Sequence, residues 1–495
     1  MSENPQSNTF VRESVALDYA KLTELMIKDL SKNQTTTSKT FTRANVATYL
    51  GNPKRYSKEL QAMSAYLYDF SPHYRRLINY YAKLPTLDYY IEPYGLDMSK
   101  SVNEKTFRNN YNKAVDFIEL MSLRHEFGKA LVTAWKVGTF YGFELYTKDT
   151  YFIKELPYDF CQISGIADGV YTFSFDVSYF ERNSDQLELY PPEFKKMYNS
   201  YKAGKPKWQE IDPARSICIK VNEEVYYDIP PFAGLFADIF DIEDYKALRM
   251  ASEVVGNYKF IVEKIPLRET SDKNNDFKID LKTVQMFHNK TASLLPDEIG
   301  IFSTPFDVDT VEFTKSNYES DNVANAESAF YTSAGTAKQL FNPDGTSSAT
   351  LAKAINIDEA EVFSVLRQLE RIGTGKLKNS ISGAFKFRLR ILDNTIFNRK
   401  ENAETLLKNA QFGLPVKLML CACLGISPSA VVSMNFLEEQ VLGLTSNFIP
   451  LVSSHTQSGA EESSVEEGGR PLSEDDELTE KGESQREGED NAKRK

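Results

Sequence analysis

Apolar residues recur every three or four positions in several long stretches and every second position in several short ones, which predicts a mixed helix and strand protein of the α+β class. In residues 71–95, SPHYRRLINYYAKLPTLDYYIEPYG, Leu77, Tyr80 and Tyr81 share one helical side flanked by Arg75 and Arg76. Pro85 and Pro93 then hand the chain to an extended, tyrosine-rich piece. A helix is expected over residues 112–136, leading through Gly138 into the strand-like FYGFELYTKD. Residues 151–180 place two extended runs around an Asp168-Gly169 turn, with Phe173, Phe175 and Val177 on a buried face. A short helix in PPEFKKMYNSYKAGKPKW, the strand SICIKVNE and the stiff IPPFAG follow.

The next helix, residues 236–258, carries an apolar stripe through Ile239, Ile242, Tyr245, Leu248, Ala251 and Val255 that needs a partner helix. An excursion comes after it: the strand KFIVEKIPL, the polar tip RETSDKNNDFK, a helix over 280–295 and the extended EIGIFSTPFDVDTVEF. Residues 316–341 predict a helix rich in Ala, Ser, Thr, Asn and Gly, small enough for close approach by another helix axis. The turn NPDGTSS then precedes a long helix to about Ile372, which Gly373 and Gly375 are expected to stop. KFRLRIL alternates Phe387, Leu389 and Ile391 with Lys386, Arg388 and Arg390, and a solvated or salt-bridged cationic face is expected there. Two or three helices end the body between Asn398 and Leu444, and a helix over 13–30 lies in an arm ahead of a body expected to start near Arg55.

Charge changes this picture mainly at the far end. Of the formal −12, the segment 453–495 contributes −7, from thirteen acidic and six basic residues, which leaves −5 for the rest. That tail has too little apolar content to offset its ordering entropy and is expected to be disordered. The body lacks the basic stripe of a protein that grips duplex DNA tightly. The longest apolar run, 418–426, is far short of the ~20 residues of a membrane span, and MSENPQSNTF does not read as a secretory signal. A soluble protein assembled in the cytoplasm is expected, with Cys161, Cys218, Cys421 and Cys423 as buried free thiols.

Catalytic signatures are missing. GTGKL at 373–377 fails as a phosphate-binding loop because Glu370 takes the first glycine position and Leu377 replaces the magnesium-binding hydroxyl, so it reads as a helix terminator. His125-Glu126 opens like a zinc-protease motif, but Lys129 stands where the second histidine belongs. His73, His125, His288 and His455 form no acid-base set. Neither a cofactor nor a metal is expected.

The ordered set LPYDFCQISGIADGVYTFSFDVSYF, YPPEFKKMYNSYK, IPPFAGLFADIFDIEDYK and KFRLRIL, together with residues 71–95 and the tail phrase GRPLSEDDELTEKGE, resembles the portal proteins of tailed bacteriophages over roughly residues 52–444. The resemblance implies a ring, usually of twelve subunits, at one capsid vertex of the virion, through which DNA is packaged and ejected. Its partners would be further copies of the chain, sequence-independent and weakly held double-stranded DNA, the terminase large subunit, the head-tail connector or adaptor, and the major capsid and scaffolding proteins. No membrane and no enzymatic activity are implied. Two other readings stand beside it: a cytoplasmic enzyme with an unrecognised carboxylate site, and another head-structural protein such as a scaffold or connector.

Carried onto this chain, the resemblance implies an N-terminal arm (1–52), a wing (53–235), a first stem helix (236–258), a clip (259–315) and a second stem helix (316–341). A tunnel loop with its long helix (342–375), a return strand to the wing (376–397), crown helices (398–452) and the acidic tail (453–495) complete it. The subunit interface would use Ala326, Ala329 and Ser333 of the stem. Partner docking falls on the clip residues Leu267, Arg268, Glu269, Ser271, Asp272, Lys273, Asn274 and Asn275. The DNA channel would be faced by Lys338, Asp344, Gly345, Thr346, Ser347, Ser348 and Lys353.

Overall fold

The computed structural model describes residues 41–96, 102–257, 259–268, 277–294, 299–304, 319–337, 340–341, 348–381 and 385–444. The expected helix at 13–30 and the acidic tail lie outside these residues. The chain divides into two units, Met1–Met434 and Asn435–Lys495. In the second, the described residues include a π-helical turn, Leu437–Val441. All that follows concerns the first, apart from the final two residues of the helix that ends at Phe436.

Helices α1 (Arg43–Leu50), α2 (Ser57–Phe70) and α3 (Pro72–Lys83) open the body. Helix α1 lies inside the expected arm, yet Phe41 and Val46 are buried in the main core. Ser71 starts α3 by accepting from the Tyr74 amide, and the following proline suits a first helical turn. Strand β1 (Tyr89–Tyr94) comes next. The helix expected over 112–136 is two helices, α4 (Glu104–Leu120) and α5 (Leu123–Val137). Ser122, at φ 48°, separates them by adopting a left-handed conformation that its residue type does not announce.

Strands β2 (Thr139–Tyr146) and β3 (Tyr151–Glu155) follow, and after them the hairpin β4 (Cys161–Ala167) and β5 (Val170–Asp176). Asp168 and Gly169 both have positive φ in its two-residue turn, as the sequence predicts. Helix α6 (Pro192–Lys202), β6 (Trp208–Glu210) and β7 (Ser216–Lys220) complete this region. One sheet has the order β3-β2-β7, another β4-β5-β6, all antiparallel.

The β3-β2-β7 sheet stands between two cores. Phe140, Ile217 and Ile219 point into the larger one with the helices, whereas Tyr141, Phe143, Leu145 and Cys218 point into a second, aromatic core. That is why β2 and β7 read as continuous apolar runs: both faces are covered. In the aromatic core Phe175, Phe180, Tyr190 and Phe194 meet edge to face or tilted, and Phe173, Phe175 and Val177 are fully buried as expected.

Helix α7 (Phe236–Asn257) leads to a parallel strand pair, β8 (Lys259–Lys264) and β9 (Ile299–Thr304), joined through α8 (Leu281–Ala292). Helix α9 (Glu319–Ser333) then packs along α7. It is shorter than the expected 316–341, because the chain turns at Gly335 (φ 74°) and Phe341 stacks back on Tyr331 at 4.7 Å.

Helix α10 (Ser348–Ser380) has 33 residues, about 50 Å of rod, and buries Val362, Val365, Leu366, Leu369, Ile372 and Leu377. It does not stop at Gly373 or Gly375. A Cβ on Gly373 would sit 2.4 Å from Leu389 Cδ2, so this glycine serves close helix-strand packing and leaves the helix unbroken. Strand β10 (Lys386–Ile391) pairs antiparallel with β1, uniting positions nearly three hundred residues apart, Glu92 opposite Arg388. Helices α11 (Arg399–Gln411), α12 (Lys417–Cys423) and α13 (Pro428–Phe436) close the described fold. Of the four thiols expected to be buried, the structure leaves Cys421 of α12 half-buried.

Candidate functional site

Among the described side chains, the helix pair α7/α9 is held to the body through the first turns of α7 and the buried positions of α9. On α7, Phe236, Ile239 and Ile242 are buried, whereas Tyr245, Leu248 and Met250 are exposed, the last two by 63% and 71%. Of the described stripe positions, Ile239 and Ile242 therefore find partners in the body, while Tyr245 and Leu248 face solvent. On α9, Val323, Phe330 and Tyr331 are buried, Ala326 is half-buried and Ala329 and Ser333 are exposed. Ala326 and Ala329 border a groove of about 280 Å³ whose other side carries Asp238, Asp241 and Tyr245. Arg43 of α1 already engages Asp241 at 3.1 Å.

His73 of α3 fixes the pair to the body. Its Nδ1 is 3.3 Å from the Tyr331 hydroxyl of α9, and its Nε2 is 3.4 Å from Lys246 Nζ of α7 and 3.5 Å from Glu327. Burial, assisted by the Lys246 charge, lowers its pKa, so the neutral ring accepts from Lys246. Tyr80 and Tyr81 likewise donate to Asp358 of α10 at 3.0 and 2.8 Å. Burial raises the Asp358 carboxyl despite those two bonds.

Of the expected docking tip, Leu267 and Arg268 are described and both are exposed. Leu267 forms an antiparallel bridge with Phe277, and the Lys278 amide donates to the Pro266 carbonyl at 2.8 Å, which closes the base of the loop. Glu269, Ser271, Asp272, Lys273, Asn274 and Asn275 lie outside the described residues. So do Lys338, Asp344, Gly345, Thr346 and Ser347 of the expected channel set. Ser348 is the first residue of α10, and Lys353 is exposed on its first turns beside exposed Asn356 and Ile357.

Of the cations elsewhere, Arg388 and Arg390 of β10 and Lys195 and Lys202 of α6 are paired. Glu92 accepts from Arg390 Nε at 2.8 Å and also from Arg388, while Arg390 reaches Glu370 as well. On α6, Lys195 meets Glu188 and Lys202 meets Glu181. The β10 face is salt-bridged through Arg388 and Arg390, as its alternation suggested, and α6 carries surface ion pairs of its own. Burial alone would raise the Glu92 carboxyl, but the hydrogen bonds from Arg390 and Arg388 outweigh it and hold the group below the ordinary carboxylate range. A folded-state pKa below the unfolded value contributes stability above that range, and the contribution disappears as pH falls through the lowered value. Glu92→Gln is therefore expected to lose less stability than the wild type between about pH 7 and about pH 3, measured by urea midpoints. Equal acid sensitivity of the two proteins would contradict this role.

The structure also brings together residues that the sequence did not single out. Lys376, within the failed GTGKL motif, is buried and pairs with Glu144 of β2, donating also to the Ala214 carbonyl at 2.7 Å. Gln368 bonds both the amide and the carbonyl of Lys220, so α10 is fastened to β7 and β2. Asp88, fully buried, receives Arg124 at 2.6 Å and Arg399 at 3.2 Å. The imperfect zinc motif has a structural use: buried Glu126 pairs with Lys129 at 2.7 Å and accepts from the Ile153 amide. Partners as far apart as Lys376 and Glu144, or Asp88 and Arg399, leave no local signal. Among the described residues no group of His, Cys, Asp and Glu is arranged to hold a metal.

No family model matches the chain, and no curated protein matches it. Among solved structures, a chain from the virion of a native gene transfer agent particle aligns with it at 13% identity and a TM-score of 0.42, covering 76% of this chain and 94% of that one.

Proposed function

We propose that the chain is a portal protein of a tailed bacteriophage, a subunit of a ring at one capsid vertex that conducts DNA during packaging and ejection. The observation that carries this reading is the connectivity around α7/α9. A helix leaves the body with Tyr245 and Leu248 of its apolar stripe exposed, a small parallel βαβ unit follows, a second helix returns alongside the first, and a long rod recrosses the body before β10 joins β1. That order agrees with the stem, clip, stem, tunnel helix and wing-return strand implied by the family-like segments.

In this reading exposed Leu248 and Met250, with Ala329 and Ser333, meet the stem of the next copy, since exposed apolar positions on a projecting helix gain most from a neighbour. The clip around residues 267–277 would dock the terminase large subunit and later the connector or adaptor. Residues 344–348, Lys338 and Lys353 would face the DNA, and capsid and scaffolding proteins would surround the ring. A conduit must let duplex slide, which suits isolated lysines better than a dense basic stripe. Hydrolysis would belong to the motor.

Replacing Ala329 with Trp is expected to overpack the stem contact by roughly 1–3 kcal/mol and so reduce assembly about five- to 150-fold. Light scattering of wild type and variant checks it. A wild type that stays monomeric under assembly conditions would sink the ring reading.

A further inference from the structure

His73 of α3 stands where three helices meet, and its two ring nitrogens serve different neighbours. Nδ1 faces the Tyr331 hydroxyl of α9 at 3.3 Å, while Nε2 has Lys246 Nζ of α7 at 3.4 Å and a Glu327 oxygen of α9 at 3.5 Å. The same ammonium is 3.1 Å from Glu243 of α7, and Arg76, on α3 itself, is the other cation acting on the ring. Lys246 lies one turn past Ile242, the furthest buried position among the described side chains of α7, and Leu248 and Met250 beyond it are exposed. The bond to His73 therefore holds α7 at the point where burial stops.

That bond requires a neutral ring. With Nδ1–H donating to Tyr331, Nε2 keeps its lone pair and accepts from Lys246. Protonation makes both nitrogens donors, so Lys246 loses its acceptor and faces a second cation, while Nε2–H gains a carboxylate partner in Glu327. We propose that His73 is an acid-sensitive latch: protonation exchanges its bond to Lys246 of α7 for one to Glu327 of α9, and so frees α7 beyond Ile242 while α9 stays held. Burial of the ring, then the Lys246 charge, with Arg76 adding to them, oppose protonation more than Glu327 and Glu243 favour it, and the pKa lies below the ordinary imidazole value. A folded value below the unfolded one means that the closed latch is fully stable above the ordinary imidazole range and loses stability as pH falls through the lowered value. The latch belongs to the single chain and works whatever the chain assembles into.

Hydrogen-deuterium exchange of the full chain at about pH 7.5 and about pH 5, corrected for the intrinsic pH dependence of amide exchange, tests the latch. In the wild type, amides of residues 243–250 are expected to exchange about threefold or more faster at the lower pH, with a smaller change over 326–333 of α9. Two variants are expected to lose this response in opposite ways. His73→Gln, whose side-chain oxygen accepts from Lys246 at either pH, should stay slow at both, whereas Lys246→Met, which removes the latched group, should be fast at both. Wild-type exchange over 243–250 that is equal at the two pH values would overturn the latch. So would an undiminished acid response in Lys246→Met, a half-exposed position, or equal loosening of α7 and α9 in the wild type, the mark of general acid unfolding.

Discussion

Lys376→Met is expected to destabilise the protein by about 3–5 kcal/mol, because it leaves the Glu144 carboxylate buried without its cation. Glu144 is 1% exposed and Lys376 6%, so water cannot replace the lost partner at either end. The carbonyls of Ala214 and Ser216 lose a donor as well. A urea titration reads the loss as a lower midpoint. The double variant Lys376→Met with Glu144→Leu is expected to recover part of it, since an apolar pair of similar volume no longer buries an uncompensated charge. Recovery should be incomplete, because the two carbonyls stay without the ammonium. A single variant within about 0.5 kcal/mol of wild type would show that the long helix is not held at this point.

The second large effect belongs to Gly138, which joins α5 to β2. Its φ of 90° is left-handed, and a Cβ there would lie 2.1 Å from the Ile229 carbonyl oxygen, a backbone atom that cannot rotate aside. The Ile229 segment is itself held in place, since adjacent Asp228 accepts from Thr139 and Tyr141. Gly138→Ala is expected to cost about 1–2 kcal/mol for the backbone conformation and about 1–3 kcal/mol for the steric conflict. Gly204 is a useful control, having φ 96° with nothing near a built Cβ, so alanine there carries only the conformational part. Equal thermal shifts for the two variants would contradict the steric argument.

The elements legible in the sequence were those whose pattern is set locally. The Asp168-Gly169 hairpin, the alternation in β10, and α7 followed by β8, α8 and β9 all follow from side-chain period and turn chemistry. The failures are tertiary. Gly373 looked like a helix stop, but Leu389 packs where its Cβ would be and α10 runs on to Ser380. Ser122 looked helical and is left-handed, splitting one expected helix into α4 and α5.

Of the candidate site, Ala326, Ala329, Ser333 and Lys353 were placed on the right helices by pattern alone. Their exposure depends on what α7 and α10 pack against, which a single sequence does not encode locally. The buried pairings of Asp88 with Arg399 and of Glu144 with Lys376 span most of the chain, so no window of residues could have joined them.

Cryo-electron microscopy of the assembled wild-type protein distinguishes a DNA-conducting ring from every other arrangement of this chain. The expected result is a closed ring with an axial hole wide enough for a DNA duplex, the α7/α9 pairs of neighbouring copies side by side, and Lys353 of α10 facing the hole. A compact monomer, or a ring with Lys353 on its outer surface, would contradict it.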